Sequence, residues 1–179
     1  ERWYGEDAEG PLLKANGRFV FTDAGGLIGQ TGWEGGSLVD RGEDPENYRG
    51  YYAHAVNDTR DDWRPLFRLV RALDPTATPD AEFAEAVAGA VDLDAFFRVL
   101  AARMLQDDCD ALGVNNGHNG YIVHDSATGL WGTLAFDLEC TFSNPNRNFF
   151  VSPDPGVQRL LTHPATRREY MRVLSEFAD

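Results

Sequence analysis

Between residues 61 and 105 the apolar side chains recur at helical spacing, whereas on either side they come in short blocks between polar turns. In "NDTRDDWRPLFRLVRALD", Trp63, Leu66, Phe67, Val70 and Leu73 fall on one helical face, with Asp61 or Asp62 as the N-cap and Pro65 in the first turn. "DPTATPD" is a turn, and Pro79-Asp80 opens a second helix through Phe83 and Val87. Asp92 or Asp94 opens a third. In "LDAFFRVLAARMLQ", Phe96, Phe97, Leu100, Met104 and Leu105 leave almost no polar face, which predicts a buried helix.

The flanking regions carry strand signals. "PLLKA", "RFVFT" and "YYAHAV" read as strands within a Gly-rich stretch whose remainder reads as turns, too irregular for a self-sufficient sheet. "GYIVHD" (120–125) and "LWGTLAFD" (130–137) are joined by "SATG", a short Gly-containing connection that predicts a hairpin. A helix at "VQRLL", a break at Pro164 and a last helix "ATRREYMRVLSEF" complete the chain. The expected class is α+β in one domain of 179 residues: a strand-rich entry segment (1–56), then a helical lobe (57–179) carrying a small hairpin (120–137).

The order of these elements points to chemistry. A buried helix runs into the Asp-rich loop "DDCD", then come an Asn, a strand, a hairpin, a second strand and an Asp. Protein-kinase-like enzymes arrange phosphoryl transfer in this order: a loop Asp orients the acceptor hydroxyl, and an Asn and a later Asp hold a metal ion. Asp110 fills the first role, with Asp107 and Asp108 as rivals in another loop register. Asn119 directly precedes "GYIV" and is preferred to Asn115, which has the kinase spacing after Asp110 but no strand behind it. Asp137 ends the second strand, where an apolar approach makes its carboxylate costly unless paired or metal-bound. Glu139 is a second carboxylate beside it, and His118 is expected to orient its neighbours.

These segments resemble the CotH family, the spore-coat-H-type kinase-like proteins. Members show a helix ending in Asn-Trp-Asp, then His-Asn-Tyr-Tyr-Leu-Tyr, then Trp-Asp-Leu-Asp-x-Thr-Phe, and here stand "DCD", "HNGYIV" and "FDLECTF". "GPLLKA", "DDWRPLFRLVRAL" and "RLLTHPATRREYMRVL" are similar to further family segments, so the likeness runs along nearly the whole chain. The resemblance implies an atypical protein-kinase fold that transfers phosphate from ATP, with Mg²⁺ or Mn²⁺, to Ser or Thr of a protein. It implies Asp110 as the catalytic Asp, and Asn119, Asp137 and Glu139 as metal ligands. Cys109 stands where the family has Trp, Gly120 where it has an aromatic, and Glu139 where it has the second Asp. In the family the nucleotide-gripping strands precede the segment matched by "GPLLKA", so this chain is expected to represent the C-terminal lobe with the small lobe largely absent. Lys14, the only Lys, is the candidate to approach nucleotide, against the plainer expectation of a solvated strand-end side chain. The competing functional expectation is a catalytically silent kinase-like module of a spore coat, envelope or extracellular assembly, and the family's habits favour a secreted bacterial protein.

Composition narrows this further. A formal charge of −13 opposes nonspecific nucleic-acid binding and suits a metal or a basic, Ser-rich protein substrate. No apolar run reaches membrane-spanning length. The acidic start "ERWYGEDAEG" has no signal-peptide character and reads as a portion of a longer chain. Cys109 and Cys140 flank the acidic motifs and form either one bridge or two buried thiols. The loop "DDCDALGVNNG" lacks the twelfth-position Glu of an EF-hand, and His54, His124 and His163 are too scattered to be ligands. Trp63, Phe67, Phe96, Phe97, Tyr170 and Phe177 are expected in the core.

Overall fold

The alternation in "LLKA" sends Leu13 and Ala15 into the core and leaves Leu12 and Lys14 half-buried, the signature of a strand with one covered face. A computed structural model, describing residues 10–23, 28–56, 61–115, 117–138, 140–142, 144 and 146–178, shows what that strand joins. Strand β1 (Leu12–Ala15) is flanked by β4 (Tyr52–Val56) and β5 (Gly120–His124), and β6 (Trp131–Ala135) completes a four-stranded antiparallel sheet in the order β4-β1-β5-β6. The expected hairpin is therefore half of a larger sheet whose other half comes from the entry segment. Its connection spans residues 125–130, where the Asp125 carboxylate accepts the Ala127 amide and the Thr128 hydroxyl.

The remaining two strands, β2 (Gly17–Asp23) and β3 (Ile28–Gly35), pair only with each other. The second was expected to be turns, because its Gly residues mask a strand that forms by pairing with "GRFVFTD". The root of this ribbon is fixed by the Gly36 amide, which donates to the Gly117 carbonyl at 2.7 Å. Gly117 has φ of 62°, and any Cβ there would overlap the Gly36 carbonyl, so both positions require glycine.

Helices cover the apolar face of the sheet. The short α1 (Glu46–Arg49) precedes β4, and α2 (Arg64–Leu73) buries Leu66, Phe67, Leu69, Val70 and Leu73. The N-cap expected at Asp61 or Asp62 falls instead on Trp63, which makes no side-chain cap bond; just ahead of it the Asp62 carboxylate accepts the Arg64 amide at 3.1 Å. Helix α3 (Asp80–Ala88) follows Pro79, and α4 (Leu93–Leu105) starts at Asp92, whose side chain accepts the Ala95 amide. Phe96, Phe97, Leu100, Ala101 and Met104 make α4 the centre of the core, where Phe97 meets Tyr170 of α6 at 5.2 Å. Helix α5 (Pro155–Thr162) is capped by Asp154, and α6 (Pro164–Glu176) begins at Pro164, which opens the last helix as its first residue. Leu105 and Phe177, expected in the core, are exposed at 42% and 47% because both lie where their helices run out into solvent. No described helix is long and apolar enough to cross a membrane.

Candidate functional site

Helix α4 delivers the chain to the site through one side chain that its sequence pattern made easy to overlook. Arg103 interrupts the apolar run, yet it is only 4% exposed. Its Nε donates to Asp108 Oδ2 at 2.7 Å, Nη1 donates to the Asn119 carbonyl, and Nη2 donates to the carbonyls of Phe136 at 2.9 Å and Asp137 at 3.1 Å. The entry of β5 and the exit of β6 therefore meet at one guanidinium.

The three aspartates after α4 are separated by their partners. Asp107, in the left-handed region with φ of 48°, accepts from Arg147 at 2.8 Å and from the Asn144 amide at 2.5 Å. Asp108 is fully buried against Arg103. Both rivals are thus engaged by arginines as structural ties. Asp110 is half-buried; its amide donates to Asp108 Oδ1 at 3.2 Å, and its carbonyl accepts from the His118 amide at 2.8 Å and the Asn119 amide at 2.9 Å. These last two bonds close the 110–119 loop and set Asn119 beside Asp110. Asn119 is buried at 2% exposure, whereas Asn115 lies exposed on the loop, with its amide bonded to the Ala111 carbonyl.

Cys109 and Cys140 form a disulfide, resolving the two alternatives left open by sequence. The bridge belongs to a seam: the Cys109 amide donates to the Cys140 carbonyl at 2.8 Å, and the Phe142 amide to the Gln106 carbonyl at 2.6 Å. An Asp110 carboxylate oxygen lies within 4.8 Å of both sulfurs. Joined sulfurs offer no thiolate, so this cluster is not a soft-metal site. Arg147 and the 140–147 segment were absent from the expected site; a base seven residues beyond a cysteine gave too weak a signal.

Asp137 sits two residues past β6 with φ of 56° and an exposed side chain. The expectation that its carboxylate is desolvated by an apolar approach is incorrect: the chain turns outward after Ala135 and leaves Asp137 to water. Positive φ disfavours any side chain, and Asp, Asn and Gly tolerate it best. Of the non-glycine residues with such a backbone, Asp107, Asp137 and Phe142 all border this seam. Glu139 lies outside the described residues.

Lys14 is in mid-strand, half-buried, rather than at a solvated strand end. It stands opposite Tyr121 in the register, with its Nζ 4.8 Å from the centre of the Phe136 ring. Tyr121 and Phe136 are themselves in edge contact at 5.3 Å. The only Lys therefore shares a half-open sheet face with the residue immediately preceding Asp137.

The other histidines have structural settings. His124 is buried on the Trp131 ring at 5.0 Å, and burial, with Arg68 nearby, lowers its pKa below the usual imidazole value. His54 stands edge-on to Trp63 at 4.7 Å, and His163 caps α6.

No curated protein matches this sequence. The model of the CotH kinase protein family does, over residues 5–178. With nearly every residue inside that match, and with the loop, strand-entry and strand-exit segments of the family pattern brought together around Arg103, the chain belongs to the CotH kinase protein family.

Proposed function

We propose that this chain is a divalent-metal-dependent phosphotransferase of atypical kinase-like fold, moving phosphate from ATP to Ser or Thr of a protein. The observation that carries this reading is the convergence at one end of β5–β6. Asp110 is bonded through its backbone to Asn119, and Asn119 and Asp137 share the Arg103 guanidinium through their carbonyls. An amide oxygen and carboxylates are hard donors that suit Mg²⁺ or Mn²⁺, so the residues present fit the metal that the family implies. Asn119 and Asp137 would hold it, with Glu139 as a further carboxylate. Bound there, the metal would supply positive charge to offset that of the nucleotide phosphates. Asp110 would accept or orient the proton of the acceptor hydroxyl, and His118 would keep the loop in register. Lys14, beside Phe136, is the cation of this chain suited to approach the nucleotide. Backbone strain at Asp107, Asp137 and Phe142 supports the same location, because strained residues concentrate at functional sites.

The disulfide favours an oxidising compartment, in line with a secreted, extracellular or spore-coat setting. The acidic surface suits a basic, Ser-rich protein substrate. The test is incubation of the full chain with labelled ATP, Mg²⁺ or Mn²⁺ and such a substrate, beside Asp110→Ala and Asp137→Ala. Label on Ser or Thr that disappears in both variants is the expected result. Equal label in all three would remove the assignment, and metal binding without any label would favour the catalytically silent module.

A further inference from the structure

A guanidinium taken out of water keeps its charge, so its N–H groups must find acceptors. Arg103 finds them in three separate segments, and none of the acceptors belongs to α4. The last ladder pair of the hairpin is Gly120 with Ala135; beyond it Arg103 bonds both chains. The counter-ion extends the reach. Asp108 takes the Arg103 charge on one oxygen and accepts the Asp110 amide on the other. One buried ion pair thus touches the backbone of Asp110, Asn119 and Asp137.

We infer that Arg103, with Asp108, is a positioning residue that sets the spacing between Asn119 and Asp137 and aligns Asp110 with them. The inference rests on the metal-dependent reading of this site. The planar fork of Arg presents several donors at fixed angles, which allows one side chain to hold two strand ends and a loop together. Lys offers a compact ammonium on a flexible stem and cannot span the same set of acceptors. Asp137 makes the tie consequential, since its left-handed backbone aims the chain away from the sheet and its carbonyl is one of the bonded groups. Releasing that carbonyl frees the turn from which the Asp137 side chain departs.

The experiment measures Mn²⁺ binding by calorimetry and thermal unfolding on the same full-chain samples. The variants are Arg103→Lys, the double Arg103→Met/Asp108→Asn, and Asp137→Asn as the ligand control. The double variant leaves no buried charge unpaired, so it should unfold closer to the wild-type temperature than Arg103→Ala does, although the Asn119, Phe136 and Asp137 carbonyls lose their donor. It should nevertheless weaken Mn²⁺ binding by about tenfold or more, the usual consequence of freeing a metal ligand from its supporting bonds. Arg103→Lys should fall between the two. Should the double variant fail to fold, Arg103→Lys carries the test by itself, and wild-type affinity in it overturns the inference. Mn²⁺ binding that is lost in Asp137→Asn but unchanged by either Arg103 variant overturns the positioning role alone. A wild-type chain that binds no Mn²⁺ overturns both this inference and the functional reading beneath it.

Discussion

The two ends of α4 carry ion pairs of opposite character. At the start, Asp94 meets Arg98 at 2.8 Å and also Arg172 of α6, with all three side chains more than 40% exposed. At the end, Arg103 and Asp108 are 4% and 0% exposed. Water solvates the first group whether or not the pairs form, so the interactions compete with hydration and are screened by salt. The second pair has no such alternative. Its geometry is dictated by four acceptors around Arg103, and in return it dictates where those acceptors stand. Solvent exposure, more than the number of charges, decides which end of the helix organises the site.

Breaking the buried end should have the largest effect. Arg103→Ala strands the Asp108 carboxylate and three carbonyls, and should cost about 3–5 kcal/mol in denaturant unfolding. A loss below about 1 kcal/mol would mean that water reaches the pair and would erase the contrast. Opening the neighbouring seam comes next. The Cys109–Cys140 bridge closes a separation of 31 residues, and replacing both by Ser should cost about 2–4 kcal/mol. The same change should weaken Mn²⁺ binding, since the bridge lies between Asp110 and the segment after Asp137; thiol titration before and after reduction checks that the bridge had formed.

The helix cap lies between the extremes. Asp92→Ala removes the acceptor for the Ala95 amide and should cost about 1 kcal/mol, readable as a fall in Tm of a few degrees. At the exposed end, Asp94→Asn should leave Tm nearly unchanged at physiological salt, with any effect growing as salt is lowered. A further exposed pair gives the pH test. The Arg49 guanidinium, aided by the Trp63 indole, holds the Asp61 carboxyl at about 2 instead of the usual 3.8. A carboxyl lowered in the folded state adds stability above its unfolded pKa and loses it as the pH falls through the folded one. Thermal melts of Asp61→Asn should therefore lose less Tm than wild type on acidification from pH 3.8 toward about pH 2.

Local patterning reached a good part of this molecule. Apolar spacing gave α2, α3 and α4 because a helix face is written within a few consecutive turns; of the two starts offered for α4, Asp92 is the cap, and the break expected at Pro164 is instead the first residue of α6. It failed at β3, whose strand exists only through its partner, and at Asp137, whose solvation depends on which way the chain turns after β6. Spacing left Asp110, Asp107 and Asp108 as alternatives, and the arginines that engage Asp107 and Asp108, Arg147 and Arg103, are joined to them only by the folded chain. Arg103 itself was visible as one base on an apolar helix, but its role was not, since its acceptors lie 5 to 34 residues away.

By itself, the order of residues determined most of the element types, the α+β class, the family resemblance and the short roster of polar groups able to do chemistry, because each depends on spacing along the chain. The tertiary structure alone decided that β1 and β4 extend the hairpin into a sheet, that Cys109 and Cys140 meet, and that Asn119 and Asp137 share one buried cation. Those outcomes depend on which distant groups are withdrawn from water together, a property of the packed molecule that no local window contains.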